Sequence, residues 1–226
     1  MDMNFLAQTP LFRGATPDEI ASMLSCLGAS ERRYARDETI YSAGQTVESM
    51  GLILSGSVYI QSDDIWGNTS ILDRAMPGQV FAETYACVPG EKLMVSVIAA
   101  EDVQVLFLNV SKILTMCSNA CAHHGRIIRN LLMISAVKNL HLSRRIFHTS
   151  SKTIRGRLMS YLSYQAVEQG KREFDIPFNR QQLADYLSVD RSAMSNELSK
   201  MQTDGLLTTT RNHFVLRGKR WEDYME

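Results

Sequence analysis

No stretch of this 226-residue chain is apolar for long enough to span a bilayer, and its N-terminus lacks the charged-then-apolar layout of an export signal. A soluble cytoplasmic protein with no membrane contact is therefore expected. Cysteine is scarce. Cys26, Cys87, Cys117 and Cys121 form no CxxC pair and fall short of disulfide-scaffold density, so reduced thiols are expected. The five histidines, His123, His124, His141, His148 and His213, all lie outside the strand-like region from Tyr34 to Leu108, which excludes a histidine metal centre there. No nucleophile–base pairing is discernible, so no catalytic residue is assigned and an enzyme is not expected. Glycine and proline are both absent from Arg126 to Arg155, which permits one long helix.

Net charge is also missing: the formal total is zero. The charges are nonetheless unevenly placed along the chain. Residues 1–118 hold 7 Lys/Arg against 14 Asp/Glu, residues 119–149 hold 5 against 0, and residues 150–226 hold 12 against 10. An acidic front and a basic middle and rear place phosphate contact in the second half. The length suffices for two modest domains, each with its own core.

Thr16-Pro17-Asp18-Glu19 opens a helix, with Thr as N-cap, Pro at the first helical position and Glu placed for a capping box; the helix should end near Cys26 to Gly28. From Tyr34 to Leu108 the chain breaks into short apolar runs of strand length: 39–41, 52–54, 57–60, 70–72, 80–81, 93–99 and 103–108. Gly44, Gly56, Gly67, Gly78 and Gly90 recur at intervals of 12, 11, 11 and 12 residues, and regular turns of this kind imply a rolled or sandwiched sheet. In the long helix, Ile128, Leu132, Ser135, Asn139, Leu142 and Ile146 alternate by 4 and 3, the coiled-coil spacing, beside a second stripe of Met133, Val137, Leu140 and Phe147. Two stripes predict two neighbours, the chain's own sheet domain and a partner chain. The polar run from His148 to Ser151 should end the helix and act as a hinge. A further helix over about 151–168, carrying Ile154, Leu158, Tyr161 and Leu162, should support the C-terminal part of the chain and close at Gly170.

The stretch from Asn179 to Gly205 reads as two short helices joined by a tight turn. Asn179 caps the first, over 180–187, whose apolar face is Leu183, Ala184 and Leu187. Ser188, Val189 and Asp190 form the turn, and Met194, Leu198 and Met201 give the second helix its inner face. The opposite side carries Ser192, Ser195, Asn196 and Ser199, with Arg191 at its edge. Such a surface matches the major groove, where Arg pairs with guanine and Asn with adenine. The runs 206–210 and 214–216 about a polar turn predict a β-hairpin wing.

This order of parts, with PGQVFAE at 77–83, GRLMSYL at 156–162, VDRSAMSNELSKMQTDGLL at 189–207 and RNHFVL at 211–216, resembles the CRP/FNR family of bacterial transcription regulators. The resemblance implies an α+β chain: a double-stranded, cyclic-nucleotide-binding-like β-roll sensor over 1–118, a long dimerisation helix and hinge over 119–149, and a winged helix-turn-helix over 150–226. It implies a homodimer on palindromic double-stranded DNA, with heads roughly 34–36 Å apart, and RNA polymerase as a further partner. On the same ground Arg191, Ser192 and Asn196 are the base-reading positions, Asn179, Arg180 and Gln181 phosphate contacts, and Ser195 and Ser199 secondary phosphate contacts. The family's cyclic AMP receptor holds Arg, Glu and Arg at the reading positions, so Arg, Ser and Asn imply a different operator.

In the sensor, the resemblance places Ala82-Glu83 where cyclic-AMP-binding members have Gly-Glu, and Leu93-Met94 where they have Arg-Ser. Neither Leu nor Met offers a phosphate a guanidinium, and the neighbouring Lys92 is only a point charge, so cyclic AMP is not expected. The cassette residues Phe81, Glu83, Tyr85, Leu93, Met94 and Val95 suit a small apolar or aromatic effector; the alternative is a closed core without ligand. Leu142 and Ser143 lie where the family's long helix touches its effector. Effector binding is expected to reorient the heads about the hinge. An iron–sulfur cluster is not supported, since Cys26 stands alone near the N-terminus. Cys117, Cys121 and His124 share a helix face at i, i+4 and i+7 but lack a fourth ligand, and no metal or cofactor is assigned. The competing functional reading is a signal-binding β-roll whose helical tail docks a protein.

Overall fold

The protein is described by a computed structural model over residues 1–115 and 122–217. Two compact units form, Met1–Val137 and Lys138–Glu226. Cys117 and Cys121 lie outside the described residues.

In the first unit, α1 (Met3–Gln8) and α2 (Pro17–Cys26) precede two four-stranded antiparallel sheets. One has the order β1 (Ser30–Tyr34), β8 (Val103–Asn109), β3 (Ser49–Ser55), β6 (Val80–Phe81); the other has β2 (Thr39–Tyr41), β7 (Ser96–Ala99), β4 (Val58–Asp63), β5 (Thr69–Ala75). Short helices α3 (Glu83–Cys87) and α4 (Val110–Leu114) follow β6 and β8. The capping box at Thr16 and Glu19 forms as expected, and all five spaced glycines have positive φ, the conformation the turns require.

Strand alternation divides the apolar residues between two cores. On β8, Val103, Val105 and Phe107 join Ile40, Ile53, Val58, Phe81 and Val97 between the sheets. Leu106 and Leu108 instead face Leu6, Leu11, Phe12, Ile20 and Met23 of the helical layer. β1 was not legible from its sequence, Ser-Glu-Arg-Arg-Tyr, because it is an exposed edge whose pairing with β8 is backbone work.

Helix α5 (Ala122–Thr149) ends at the polar run expected of a hinge. There the Thr149 hydroxyl donates to the Arg145 carbonyl at 2.8 Å and the Ser150 hydroxyl to the Phe147 carbonyl at 2.8 Å. The stripe it buries in the first unit shares only the partly buried Ile128 with the two predicted. Ile127 and Leu131 are buried there and Ile134 partly so, while Leu132, Met133, Val137, Leu140, Leu142, Ile146 and Phe147 are exposed. Heptad spacing picked out the faces left open, and polar anchors select the buried one. Arg126 pairs with Glu19 at 2.7 Å, and the Asn130 amide donates to the carbonyls of Leu11 and Arg13.

The second unit contains α6 (Ile154–Gln169), β9 (Glu173–Asp175), α7 (Arg180–Leu187), α8 (Arg191–Thr203), β10 (Leu207–Thr210) and β11 (His213–Leu216). Its core joins Leu158, Leu162, Leu183, Leu187, Met194 and Leu198 with Phe174 and Phe214. The wing has a strand more than the hairpin predicted, since β9 pairs with β11 to give the order β10-β11-β9. Only three residues long and mostly charged, β9 carries no strand signature of its own.

Candidate nucleic-acid interface

Helix α7 begins with the Asn179 cap: its side chain accepts from the Gln182 N–H at 2.9 Å while the Gln182 side chain accepts from the Asn179 N–H at 2.8 Å. The helix ends at Ser188, whose φ of 53° turns the chain toward α8. Two arginines that sequence reasoning passed over fasten this turn. Arg157 donates to the carbonyls of Leu187, Ser188 and Ser151, and Arg145 donates to those of Asp185 and Tyr186. The carbonyls on α7 are the orphan acceptors of a helix C-terminus, so the two guanidinium forks complete α7 where its own backbone cannot.

Asp190 caps α8, accepting from the Ala193 N–H at 2.8 Å and the Ser192 hydroxyl at 2.5 Å. The Ser192 bond, followed by that from Ala193, holds its carboxyl below the usual carboxylate range. Met194, Leu198 and Met201 are buried, which turns Arg191, Ser192, Asn196 and Ser199 outward. Arg155 ties α8 to α6, reaching Glu197 at 2.5 Å and Asp204 at 2.7 Å. The side chains of Arg191 and Asn196 make no hydrogen bond or ion pair among the described residues, so both are available to a base edge.

A cleft of about 690 Å³ lies between the N-terminus of α7, the start of α8 and the wing turn. Asn179, Arg180, Gln181 and Arg191 line it together with Arg211 and Asn212 of the wing. Arg211, held at φ 55°, adds a cation that the hairpin pattern marked only as a turn residue.

Three expected phosphate contacts have other engagements. Arg180 is half-buried, donates to the Thr209 hydroxyl at 2.8 Å and stacks 5.1 Å over the Phe214 ring. It braces α7 against the wing, and burial draws its guanidinium below the ordinary value. Ser195 and Ser199 donate their hydroxyl protons back along α8, to the carbonyls of Arg191 and Ser195. Their single donors are thus spent within the helix.

The sensor residues are differently disposed. Phe81 is buried edge-on against Tyr41 and Phe107, and a Cβ on Gly51 would collide with its ring. Glu83 is buried at the start of α3, after Ala82 in the left-handed conformation; Leu93 is buried and Tyr85 half-buried. Met94 does not line the interior: it is 76% exposed, in the non-strand residues that precede β7. Leu142 and Ser143 belong to the second unit and are exposed. The roll interior is thus filled by its own rings, and neither Leu93 nor Met94 supplies a donor for a cyclic phosphate. His124 is buried with Nδ1 unpartnered, and no metal-holding cluster occurs among the described residues. Nor is any described helix long and apolar enough to cross a membrane.

Residues 31–120 match the cyclic nucleotide-binding domain and residues 156–220 the Crp-like helix-turn-helix domain, together more than half of the chain. The chain is 30% identical over 100 residues to the cyclic AMP receptor protein of Thermus thermophilus, a stretch covering 44% of this chain and 45% of that relative, so it spans under half the relative's length. Its fold is similar to the crystal structure of the Thermus thermophilus catabolite activator protein, at 22% identity and TM-score 0.52 over 96% of this chain and 98% of that one. It is also similar to OCPA-complexed CprK, at 15% identity and TM-score 0.61 over 87% and 91%. A cyclic nucleotide-binding-type roll followed by a Crp-like helix-turn-helix makes this chain a member of the CRP/FNR family of transcription regulators.

Proposed function

We propose that the chain works as a homodimer that binds palindromic double-stranded DNA, regulates transcription together with RNA polymerase, and responds to an effector, other than cyclic AMP, sensed by its roll. The observation that carries the DNA reading is the two-sided build of α8. Its inner side is core, and its outer side presents Arg191, Ser192 and Asn196 with the Arg191 and Asn196 side chains unengaged among the described residues. In this reading Arg191 pairs with guanine and Asn196 with adenine, while Asn179, Gln181 and Arg211 hold phosphate. Support for pairing comes from α5, where Leu132 is 68% and Ile146 69% exposed. Burying such side chains against a second copy stabilises by about 1.5–3 kcal/mol each. The expected hinge at 148–151 lies inside the second unit, where Arg145 and His148 just before it are already fastened to α7 and α6, so no hinge is assigned to it.

The test is fluorescence anisotropy with the full-length protein on promoter fragments selected from random DNA. Arg191→Ala is expected to weaken specific binding by about 1–3 kcal/mol and relax the choice at one base pair per half-site. Unchanged affinity, specificity and salt dependence would overturn the reading and favour a tail that docks protein.

A further inference from the structure

The second unit holds a cleft of about 230 Å³, separate from the outward side of α8, between the last turns of α5, helix α6 and the residues that lead into α7. Its walls are the rings of His148, Tyr161, Tyr164, Phe178 and Tyr186, with neighbouring centroids 5.1–6.2 Å apart. Arg144 stands at the rim, 5.5 Å over the Tyr164 ring, and pairs with no carboxylate among the described residues. Glu168, which also lines the cleft, accepts the Tyr164 hydroxyl at 3.1 Å.

Tyr161 departs from ordinary packing. It is 2% exposed, yet its hydroxyl has no hydrogen-bond partner among the described residues. Buried donors are rarely left so, and Phe would fill the same space without one. Tyr161 lines the cleft beside Tyr186 and Glu168. Burial raises the phenol far above its ordinary value, so it remains a donor.

Each element specifies part of a ligand. Five flat walls favour a planar ring. Arg144 supplies a forked donor for a carboxylate. The Tyr161 hydroxyl needs an acceptor on the ring. The space exceeds the roughly 150 Å³ that accommodates benzene, leaving room for two substituents. We propose that this cleft binds a single-ring aromatic carboxylate bearing a hydrogen-bonding substituent, its carboxylate on Arg144 and its substituent on the Tyr161 hydroxyl. The site is distinct from the sensor roll and does not depend on DNA binding.

Isothermal titration calorimetry of the full-length protein with 4-hydroxybenzoate tests it. Saturable binding in the millimolar range or tighter is expected, with benzoate, which lacks the substituent, and phenol, which lacks the carboxylate, each about tenfold weaker. Tyr161→Phe should reduce 4-hydroxybenzoate to the affinity of benzoate while leaving the thermal midpoint of the ligand-free protein equal or higher. Arg144→Gln, a rim change that spares the core, should reduce it to that of phenol. Absence of saturable binding overturns the proposal. So does binding that neither variant alters, since the ligand would then sit elsewhere.

Discussion

Arg157 and Ser188 are joined by a 2.8 Å hydrogen bond, from the guanidinium to the carbonyl of the left-handed residue between α7 and α8. The angle between the two helices is thereby set by a side chain of α6. Arg157→Ala leaves three carbonyls without their donor and is expected to destabilise the second unit by about 1.5–3 kcal/mol. Arg157→Lys should restore only part of this, since one ammonium cannot reproduce the fork. Urea denaturation of the full-length protein reads both, and an unchanged midpoint in the Ala variant would disprove the pinning role.

Arg180 offers a clean separation of brace from contact. Removing it as Arg180→Gln loses the Thr209 bond and the stacking on Phe214, for an expected loss of about 1–2 kcal/mol in stability. If Arg180 acts as a brace alone, the salt dependence of DNA binding should remain close to that of wild type. A salt slope shallower by about one unit would return Arg180 to the phosphate set.

His148 predicts an acid-sensitive head. The ring is 1% exposed, bonded through Nδ1 to Ser160 at 3.0 Å, and faces Arg144 on its own helix, Tyr161 and Tyr164 on α6 and Tyr186 on α7. Burial, then the Arg144 charge, holds its pKa below the ordinary histidine value. The unfolded chain therefore takes up the proton first. Stability from this site is full above the unfolded pKa, about 6.5, and is lost as pH falls through that value toward the folded one. Urea midpoints across this window should fall with acid in the wild type and less steeply in His148→Gln. Parallel slopes in the two proteins would assign the acid sensitivity to other groups.

The head was the legible half. Caps such as Asn179 and Asp190, and the inward series Met194, Leu198, Met201, are local patterns, and local patterns survive folding unchanged. What sequence could not show was long-range. Arg145 and Arg157 read as ordinary helix cations, and only the fold brings them to carbonyls some 30–40 positions away. Arg180 sits at a helix start like any phosphate contact, and only the wing's Thr209 and Phe214 reveal its other task. In α5, spacing identified apolar faces, but Glu19 and the carbonyls of Leu11 and Arg13 decide which face is buried. The edge strands β1 and β9 left little trace because backbone pairing, not side-chain burial, holds them.

Gly51 and Phe81 bear on how the sensor would respond to any visitor. The Phe81 ring occupies the space a Cβ at residue 51 would need, and rests against Tyr41 and Phe107. A molecule entering between the sheets must evict a resident side chain before it can settle. Its measured affinity is then the intrinsic affinity multiplied by the fraction of molecules in which that ring has swung aside. Sensitivity to the signal would be adjustable by substitutions that never touch the ligand, simply by altering how firmly Phe81 holds its place.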